Sequence, residues 1–228
     1  MDLTMTFSEK VLKFYSELHI GYALPEGVEV MNPYRDSACF EVCKKFYNKF
    51  YNDDRWRFLI LGINPGRFGA GRTGIPFTDP LKLETLFGIE STFLKKPELS
   101  ADFIHRMIDA FGGHEKFFSK FLINSVSPLG LMKDGKNLNY YDTPALKKSL
   151  EPFIKKSIET ILSFDIHQRV VFCLGEGENY KYLLMLNGRE KWFKEIIPLA
   201  HPRFIMQYKR KKMQHYIDDY LQKFDSIQ

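Results

Sequence analysis

Four short apolar runs, each followed by a loop of Gly, Pro, Asn or His, constrain the fold of this 228-residue chain more than any other feature. The runs are RFLIL from residue 57, FLIN from 121, RVVFCL from 169 and EIIPL from 195. Segments with helical spacing of apolar residues, such as 100–119 and 144–163, lie between them. This alternation is typical of a parallel sheet covered by helices on both faces. We therefore expect a three-layer α/β/α fold with a central, mainly parallel, four-stranded sheet.

The same pattern gives the position of a candidate site. In open parallel sheets, ligands bind beyond the carboxyl ends of the strands. All four strand-end loops carry residues that supply tight turns or polar groups. We expect the functional residues to converge on that edge of the sheet.

The rest of the chain fits one domain. Helical spacing also covers residues 6–18, 36–52 and 209–224, and a segment from about Asn179 to Leu186. The sequence contains no internal repeat and no Pro/Gly/Ser-rich linker. Single cores usually stop growing at about 250–300 residues, so residues 1–228 are expected to form a single domain.

Charge and cysteine content exclude several classes of protein. A net charge of +5 and an aromatic content of 15% suit a polyanionic partner without requiring one. The three cysteines, Cys39, Cys43 and Cys173, indicate reduced thiols in a cytosolic protein, not a disulfide framework or a four-ligand metal site. The N-terminus has no apolar run of signal-peptide type, and no stretch approaches the roughly 20 apolar residues that cross a bilayer.

The strongest motif is LGINPGRFGAGRTGIPFTDP, at residues 61–80. Its five glycines leave little side-chain bulk, so the backbone can approach a ligand closely and direct N–H groups toward an anion. The spacing lacks the Gly-Lys-Ser/Thr of a P-loop and does not open directly into a helix as a dinucleotide fingerprint does. The motif therefore favours a ligand-binding loop of another kind over an irregular connection.

The stretch from Gly62 to Phe77 resembles, residue for residue and without a gap, the first motif of the single-strand-selective monofunctional uracil-DNA glycosylases. These enzymes form one branch of the uracil-DNA glycosylase superfamily. Shorter segments resemble further family motifs in the family's order: VMNPY at 30–34, INSVSPLG at 123–130, VFCLGEG at 171–177 and AHPR at 200–203. The resemblance implies an enzyme that flips out and excises uracil, or a 5-substituted or deaminated base, and leaves an abasic site in DNA.

Asn64 and His201 are the catalytic residues that the resemblance implies. Breaking a glycosidic bond builds positive charge on the sugar and negative charge on the departing base. His201, facing O2 of the base, would stabilise that anion as an oxyanion-hole donor does. Asn64 would orient the attacking water, since an amide is a weak base. Taken alone, Asn64 could be a turn residue and His201 a loop histidine; their joint occurrence at strand ends favours a site.

The resemblance also implies a set of substrate-binding residues, which are Gly62, Ile63, Gly66, Phe68, Phe77 and Asn124. Gly66 would leave room above C5 of the pyrimidine, and Phe77 would stack on a base that has left the duplex. Asn124 has both a donor and an acceptor, so it would match the O4/N3–H face of uracil and reject cytosine. Without the family, Asn124 could equally bond backbone groups at the end of its strand.

The segment after the His-Pro motif departs from the family's pattern. The family continues with Ser-Pro-Arg and a wedge that enters the duplex, whereas this chain has HPRFIMQYKRKK. The side chains available to fill the space left by the flipped base are Arg203, Phe204, Met206 and Tyr208. A basic run follows, formed by Lys209, Arg210, Lys211 and Lys212. It could bind phosphates or be an ordinary solvated helix face, and these alternatives have equal weight.

Three other functions compete with excision by this branch. The mismatch-specific branch of the superfamily shares G-x-N-P-G but lacks the histidine, so His201 argues against it. A non-catalytic DNA-lesion or single-strand-binding protein on the same fold would not need both Asn64 and His201. An α/β hydrolase needs G-x-S-x-G, which the chain lacks. We expect a monomeric enzyme without metal or cofactor, acting on single- or double-stranded DNA in the cytosol or nucleoid, or in a eukaryotic nucleus.

Overall fold

Seven strands form two sheets in the computed structural model, which describes residues 5–227. In chain order they are β1 (Glu29–Met31), β2 (Arg57–Gly62), β3 (Phe121–Ser125), β4 (Gly130–Lys133), β5 (Lys136–Leu138), β6 (Ile166–Leu174) and β7 (Glu195–Leu199). The four apolar runs form a parallel sheet in the order β3-β2-β6-β7. The other three strands form a small antiparallel sheet in the order β1-β4-β5.

The carboxyl ends of the parallel strands lie side by side. Leu61 of β2 pairs with Asn124 of β3 and with Cys173 of β6. Leu174 of β6 pairs with Leu199 of β7. The loops that follow these strands therefore leave the sheet at one edge.

Ten α-helices lie within residues 5–227. They are α1 (Phe7–Glu17), α2 (Ser37–Tyr51), α3 (Ala70–Thr73), α4 (Pro80–Phe87), α5 (Leu99–Phe111), α6 (His114–Lys120), α7 (Pro144–Leu162), α8 (Glu178–Glu190), α9 (Pro202–Tyr208) and α10 (Met213–Asp225). Two groups pack around the parallel sheet, because α1 contacts α2 and α7 while α5 contacts α9 and α10. The predicted three-layer α/β/α architecture with a central four-stranded sheet is confirmed.

Two helices and one sheet differ from the sequence prediction. The helix expected over 100–119 is interrupted at Gly112 and Gly113, whose φ angles of 115° and 94° lie in the left-handed region that favours glycine. The terminal helix begins at Met213 instead of 209, and a short 3₁₀ turn holds residues 210–212. The antiparallel sheet is not predicted because its strands, three or four residues long, are too short to show alternation.

Buried side chains from Phe7 to Ile227 form one hydrophobic cluster. Aromatic rings fill much of it; Phe46, for example, meets Phe87 and Phe118 edge-on, with ring centroids 5.2 and 5.3 Å away. The core thus accounts for much of the high aromatic content. Among the described helices, none combines the length and apolar character that a membrane span requires. That residues 1–228 form a single domain stays a prediction, of which residues 1–4 and 228 lie outside the described part.

Candidate active site

A cavity of about 360 Å³ opens at the carboxyl edge of the parallel sheet. Three of the four strands supply residues to its wall: Asn64 follows β2, Ser125 ends β3 and His201 follows β7. The small antiparallel sheet closes another side with Asn137 and Leu138 of β5. The loops therefore converge at the carboxyl edge of the parallel sheet, as the alternation of strands and helices predicts. The antiparallel sheet, which the sequence does not predict, completes the cavity wall.

The Asn64 side chain is held by the backbone that follows β5. Its Nδ2 donates to the carbonyl oxygen of Leu138 at 3.0 Å, and its Oδ1 accepts from the N–H of Tyr140 at 3.1 Å. These partners fix which end of the amide is which, because a carbonyl only accepts and a backbone N–H only donates. One N–H and one lone pair of the amide remain unused, and Asn64 lines the cavity. The side chain is rigid and can still hold a water molecule.

His201 precedes α9 and caps its first turn. The backbone N–H of Arg203 donates to Nδ1 of His201 at 3.1 Å. Nδ1 is therefore the acceptor, and the proton of the neutral ring is on Nε2. Burial, together with the positive charge of Arg203, lowers the pKa of His201 to about 4. Near neutral pH, the ring is uncharged and presents an Nε2–H donor that no described protein group accepts.

Phe77 forms a second aromatic wall of the cavity. Its ring centroid is 6.4 Å from that of His201, and its φ of 52° is uncommon for a residue with a side chain. A Cβ atom at Gly62 would lie 3.4 Å from the tip of the Phe77 ring, at the close end of ordinary van der Waals contact. Gly62 therefore packs beside Phe77 and does not itself line the cavity.

Gly66 and Glu98 face each other across part of the cavity. A Cβ atom at Gly66 would lie 3.6 Å from Oε1 of Glu98 and 3.8 Å from Nδ2 of Asn137. At Gly69, a Cβ atom would overlap the end of the same carboxyl side chain, which would have to move to make room. Burial and the negative charge of Asp79 raise the pKa of Glu98 to about 7. The glycines of the motif loop therefore lie against the carboxyl group of Glu98, a contact that the sequence pattern does not predict.

Asn124 does not line the cavity, and its neighbour Ser125 does. The Asn124 side chain is buried; its Nδ2 donates to the hydroxyl oxygen of Tyr15 at 3.3 Å, and its Oδ1 accepts from the N–H of Ser125 at 2.7 Å. Successive side chains of a strand point to opposite faces, so the two residues cannot both reach the site. Ser125 therefore occupies the place in the cavity wall that the sequence analysis predicts for Asn124.

The remaining motif residues divide between the wall and the surface. Ile63 lines the cavity, whereas Phe68 does not. The Phe68 ring is exposed and forms cation–π contacts with two side chains. Cζ of Arg67 lies 4.6 Å and Nζ of Lys96 lies 4.0 Å from the ring centroid. Phe68 therefore lies on the surface and outside the cavity, whereas the sequence analysis predicts it among the residues that bind the base.

The residues expected to enter the duplex lie on two different faces of helix α9, one facing the cavity and one facing the core. Arg203, Phe204 and Tyr208 line the cavity and are exposed, and 72% of the Tyr208 surface is accessible. Met206 lies on the other side of the helix and is buried, because helical geometry turns residues two positions apart in different directions. Met206 therefore packs in the core and is removed from the set of candidate wedge residues.

The basic run follows α9 directly. All four of its side chains are exposed, and within the described residues none forms an ion pair. Lys209 lies 6.0 Å from the centroid of Phe204, beside the mouth of the cavity. These charges are free to meet a polyanion. Residues 5–227 contain no group of three or more His, Cys, Asp or Glu side chains arranged to hold a metal ion.

Comparisons with known proteins identify relatives of the whole chain. Residues 49–225 match the model of the family described as the uracil DNA glycosylase superfamily. A crystal structure of wild-type SMUG2 from Pedobacter heparinus is 46% identical in sequence, with a TM-score of 0.95 over 98% of this chain and 99% of that chain. A comparison with curated protein sequences gave no match.

Proposed function

The chain belongs to the uracil DNA glycosylase superfamily, as its motifs predict, and from this membership we propose that it excises uracil, or a 5-substituted or deaminated base, from DNA. The reaction hydrolyses the N-glycosidic bond and leaves an abasic site. One observation carries the proposal: Asn64, with a fixed amide, and His201, with a free Nε2–H, line the same cavity. A purely DNA-binding protein would need neither arrangement.

His201 stabilises the departing base in this proposal. As the glycosidic bond breaks, negative charge moves onto O2 of the base. A preset neutral donor stabilises that charge without reorganising at the moment of reaction. The depressed pKa of His201 keeps the ring neutral, and the N–H of Arg203 keeps its proton on Nε2.

Asn64 positions the water that attacks the sugar. The amide has one unused lone pair and one unused N–H after bonding Leu138 and Tyr140, which suits holding a water in one orientation. Strong deprotonation is unnecessary because the sugar already carries positive charge when the water adds. The proton that the water loses on bonding to the sugar passes through solvent to the base anion, so the products are a sugar hydroxyl group and a neutral base.

The substrate enters by leaving the base stack. The flipped base stacks on Phe77. Ser125 forms the hydrogen bonds to the edge of the base that the resemblance assigns to Asn124. Arg203, Phe204 or Tyr208 fills the space left in the duplex, and the basic run binds phosphates. We expect a monomer that acts where the cell keeps its DNA.

A panel of oligonucleotides, each with one damaged base in single- or double-stranded form, tests the proposal. The enzyme is incubated with each, and abasic sites are revealed by strand cleavage in alkali. We expect abasic sites at uracil and none in matched undamaged DNA. Binding of damaged DNA without abasic sites at any base in the panel would leave a non-catalytic lesion-binding protein as the function.

A further inference from the structure

The fixed orientation of Asn64 depends on a loop. The groups that hold its amide, the carbonyl oxygen of Leu138 and the N–H of Tyr140, belong to the end of β5 and to the turn that follows it. That strand is three residues long and lies at the edge of the small antiparallel sheet. Backbone groups of a loop are held only as firmly as the contacts that anchor the loop to the rest of the fold. The role of Asn64 therefore requires an anchor for Tyr140.

The hydroxyl group of Tyr140 supplies this anchor. Tyr140 is fully buried, and its hydroxyl donates to Oδ1 of Asn179 at 2.8 Å. Asn179, at the start of α8, is buried as well, and its Nδ2 donates to the carbonyl oxygen of Leu174 at 3.0 Å. A carbonyl only accepts, so the second bond fixes which end of the Asn179 amide faces Tyr140. Tyr140 is thus tied to the last residue of β6, inside the parallel sheet.

The backbone and the side chain of Tyr140 have different tasks. The backbone N–H orients Oδ1 of Asn64, while the side chain reaches α8 and β6. Two further tyrosines pack against the ring, with the centroid of Tyr141 at 4.9 Å and that of Tyr182 at 5.0 Å. Tyr140 does not line the cavity, whereas Asn64 does. Any effect of the Tyr140 hydroxyl on the reaction therefore passes through the groups that it positions.

We propose that Tyr140 is a positioning residue for excision: its hydroxyl, anchored on Asn179, holds the backbone N–H that orients the amide of Asn64 and, through it, the attacking water. The inference rests on the proposed function, in which Asn64 orients that water. A buried oxygen atom outside the cavity then controls the rate of the chemical step without contributing to DNA binding, because a small misplacement of a reacting group slows a reaction steeply.

Tyr140→Phe removes this oxygen atom and keeps the ring. The single-turnover rate of uracil excision at saturating enzyme should fall about tenfold or more, while the affinity for uracil-containing DNA stays at the wild-type value. The matched control is Tyr51→Phe. The buried hydroxyl of Tyr51 donates to the carbonyl oxygen of Phe121 at 3.1 Å, at the opposite edge of the parallel sheet. Each variant loses one buried hydrogen bond, so both should unfold at a lower urea concentration, but only Tyr140→Phe should excise more slowly.

A double-mutant cycle tests whether Tyr140 acts through Asn64. Residues that act as one unit have non-additive effects on rate. Tyr140→Phe should therefore slow the wild type and leave the residual rate of Asn64→Ala unchanged. That residual rate is measured from the abasic sites that accumulate during long incubation at saturating enzyme. General damage to the cavity would slow both proteins by the same factor.

Each outcome decides the proposal. A slower Tyr140→Phe with unchanged affinity, beside a wild-type rate in Tyr51→Phe, supports it. A wild-type rate in folded Tyr140→Phe, a fall in affinity as large as the fall in rate, or an equal slowing of Asn64→Ala overturns it while the proposed function stands. Should Tyr140→Phe not fold, Tyr140→Phe/Asn179→Leu, which leaves neither member of the pair unpaired, takes its place. A wild-type protein that leaves no abasic sites in uracil-containing DNA contradicts the proposed function itself.

Discussion

At its first residue, β2 buries Arg57 completely, whereas just beyond its last residue Asn64 borders an open cavity. Two bonds join the Arg57 guanidinium to the Asp53 carboxylate at 2.8 and 2.9 Å, and Nε donates to the carbonyl oxygen of Phe118 at 2.7 Å. Backbone carbonyls accept the other two N–H groups. The chain itself thus satisfies all five donors of Arg57.

The cavity end of β2 shows the opposite arrangement. Asn64, His201 and Glu98 are each held by bonds to backbone or by packing, yet each keeps a donor or an acceptor that no described protein group uses. The comparison teaches how to tell a polar group that stabilises the fold from one that awaits a ligand. Burial is common to both ends; unused hydrogen-bonding capacity is not.

Among the variants that test this difference between the two ends of β2, His201→Ala should have the largest effect, a loss of excision rate. Losing one oxyanion-hole donor should raise the barrier by roughly 2–4 kcal/mol, which is about 30- to 900-fold in single-turnover rate. Excision of uracil under saturating enzyme measures it, with His215→Ala, which removes an exposed histidine, as the control. Should uracil-DNA binding fall while the saturated rate stays unchanged, His201 serves recognition and not catalysis.

The pH profile of the wild type checks the protonation state of the same residue. The folded pKa of His201, about 4, lies below its ordinary value of 6.5, so the neutral form persists as pH falls from 7 to 5. Stability from the neutral ring is complete above pH 6.5 and is lost progressively as the pH falls from 6.5 to about 4, where the ring of the folded protein becomes protonated. Uracil excision should show no inflection near pH 6.5 from this group; a loss of rate there that is absent in His201→Ala would contradict the assignment.

Arg57→Met tests the other end of β2. Removing the buried partner of this ion pair also deprives three buried or half-buried backbone carbonyls of a donor, so it should lower the free energy of unfolding by about 3–5 kcal/mol, measured by urea denaturation. Arg55→Met is the matched control, because Arg55 is exposed and 3.8 Å from the same aspartate, and its change should stay within about 0.5 kcal/mol. Equal effects of the two variants would show that burial of Arg57 contributes nothing special.

The smallest effect is expected from the basic run. Changing Lys209, Arg210, Lys211 and Lys212 to Gln should weaken binding to all DNA alike and flatten the dependence of log K on log salt, by about 0.7–0.9 per lost phosphate contact. Preference for the damaged base should persist at saturating DNA. The control removes four exposed charges away from the cavity: Lys13, Lys45, Lys148 and Lys156. The same salt slope in wild type and variant would leave the run as ordinary surface.

Sequence reasoning succeeds where a short-range pattern carries the information. Apolar runs and helical periods predict the parallel sheet, and the motif around Asn64 predicts that the loop after β2 reaches the cavity. The side-chain period of a strand is two, so a shift of one residue exchanges Asn124 for Ser125 at the site. No local sequence pattern indicates which of these two neighbouring residues faces the cavity.

The rest of the site depends on contacts distant along the chain. Asn64 is fixed by Leu138 and Tyr140, more than 70 residues away, through strands too short to predict. Glu98 reaches Gly66 and Gly69 from the start of α5. Such contacts are settled by three-dimensional packing, which a single sequence does not display.

Asn64→Ala tests the central claim most directly, with Arg57→Met measured beside it. The quantities are the single-turnover rate of uracil excision by folded, saturating enzyme and the affinity for uracil-containing DNA. The account predicts that Asn64→Ala loses most of its turnover and keeps its affinity, because the amide aligns water and does little to hold the base. Folded Arg57→Met should excise uracil at the wild-type rate. A near-wild-type rate for Asn64→Ala would contradict the account.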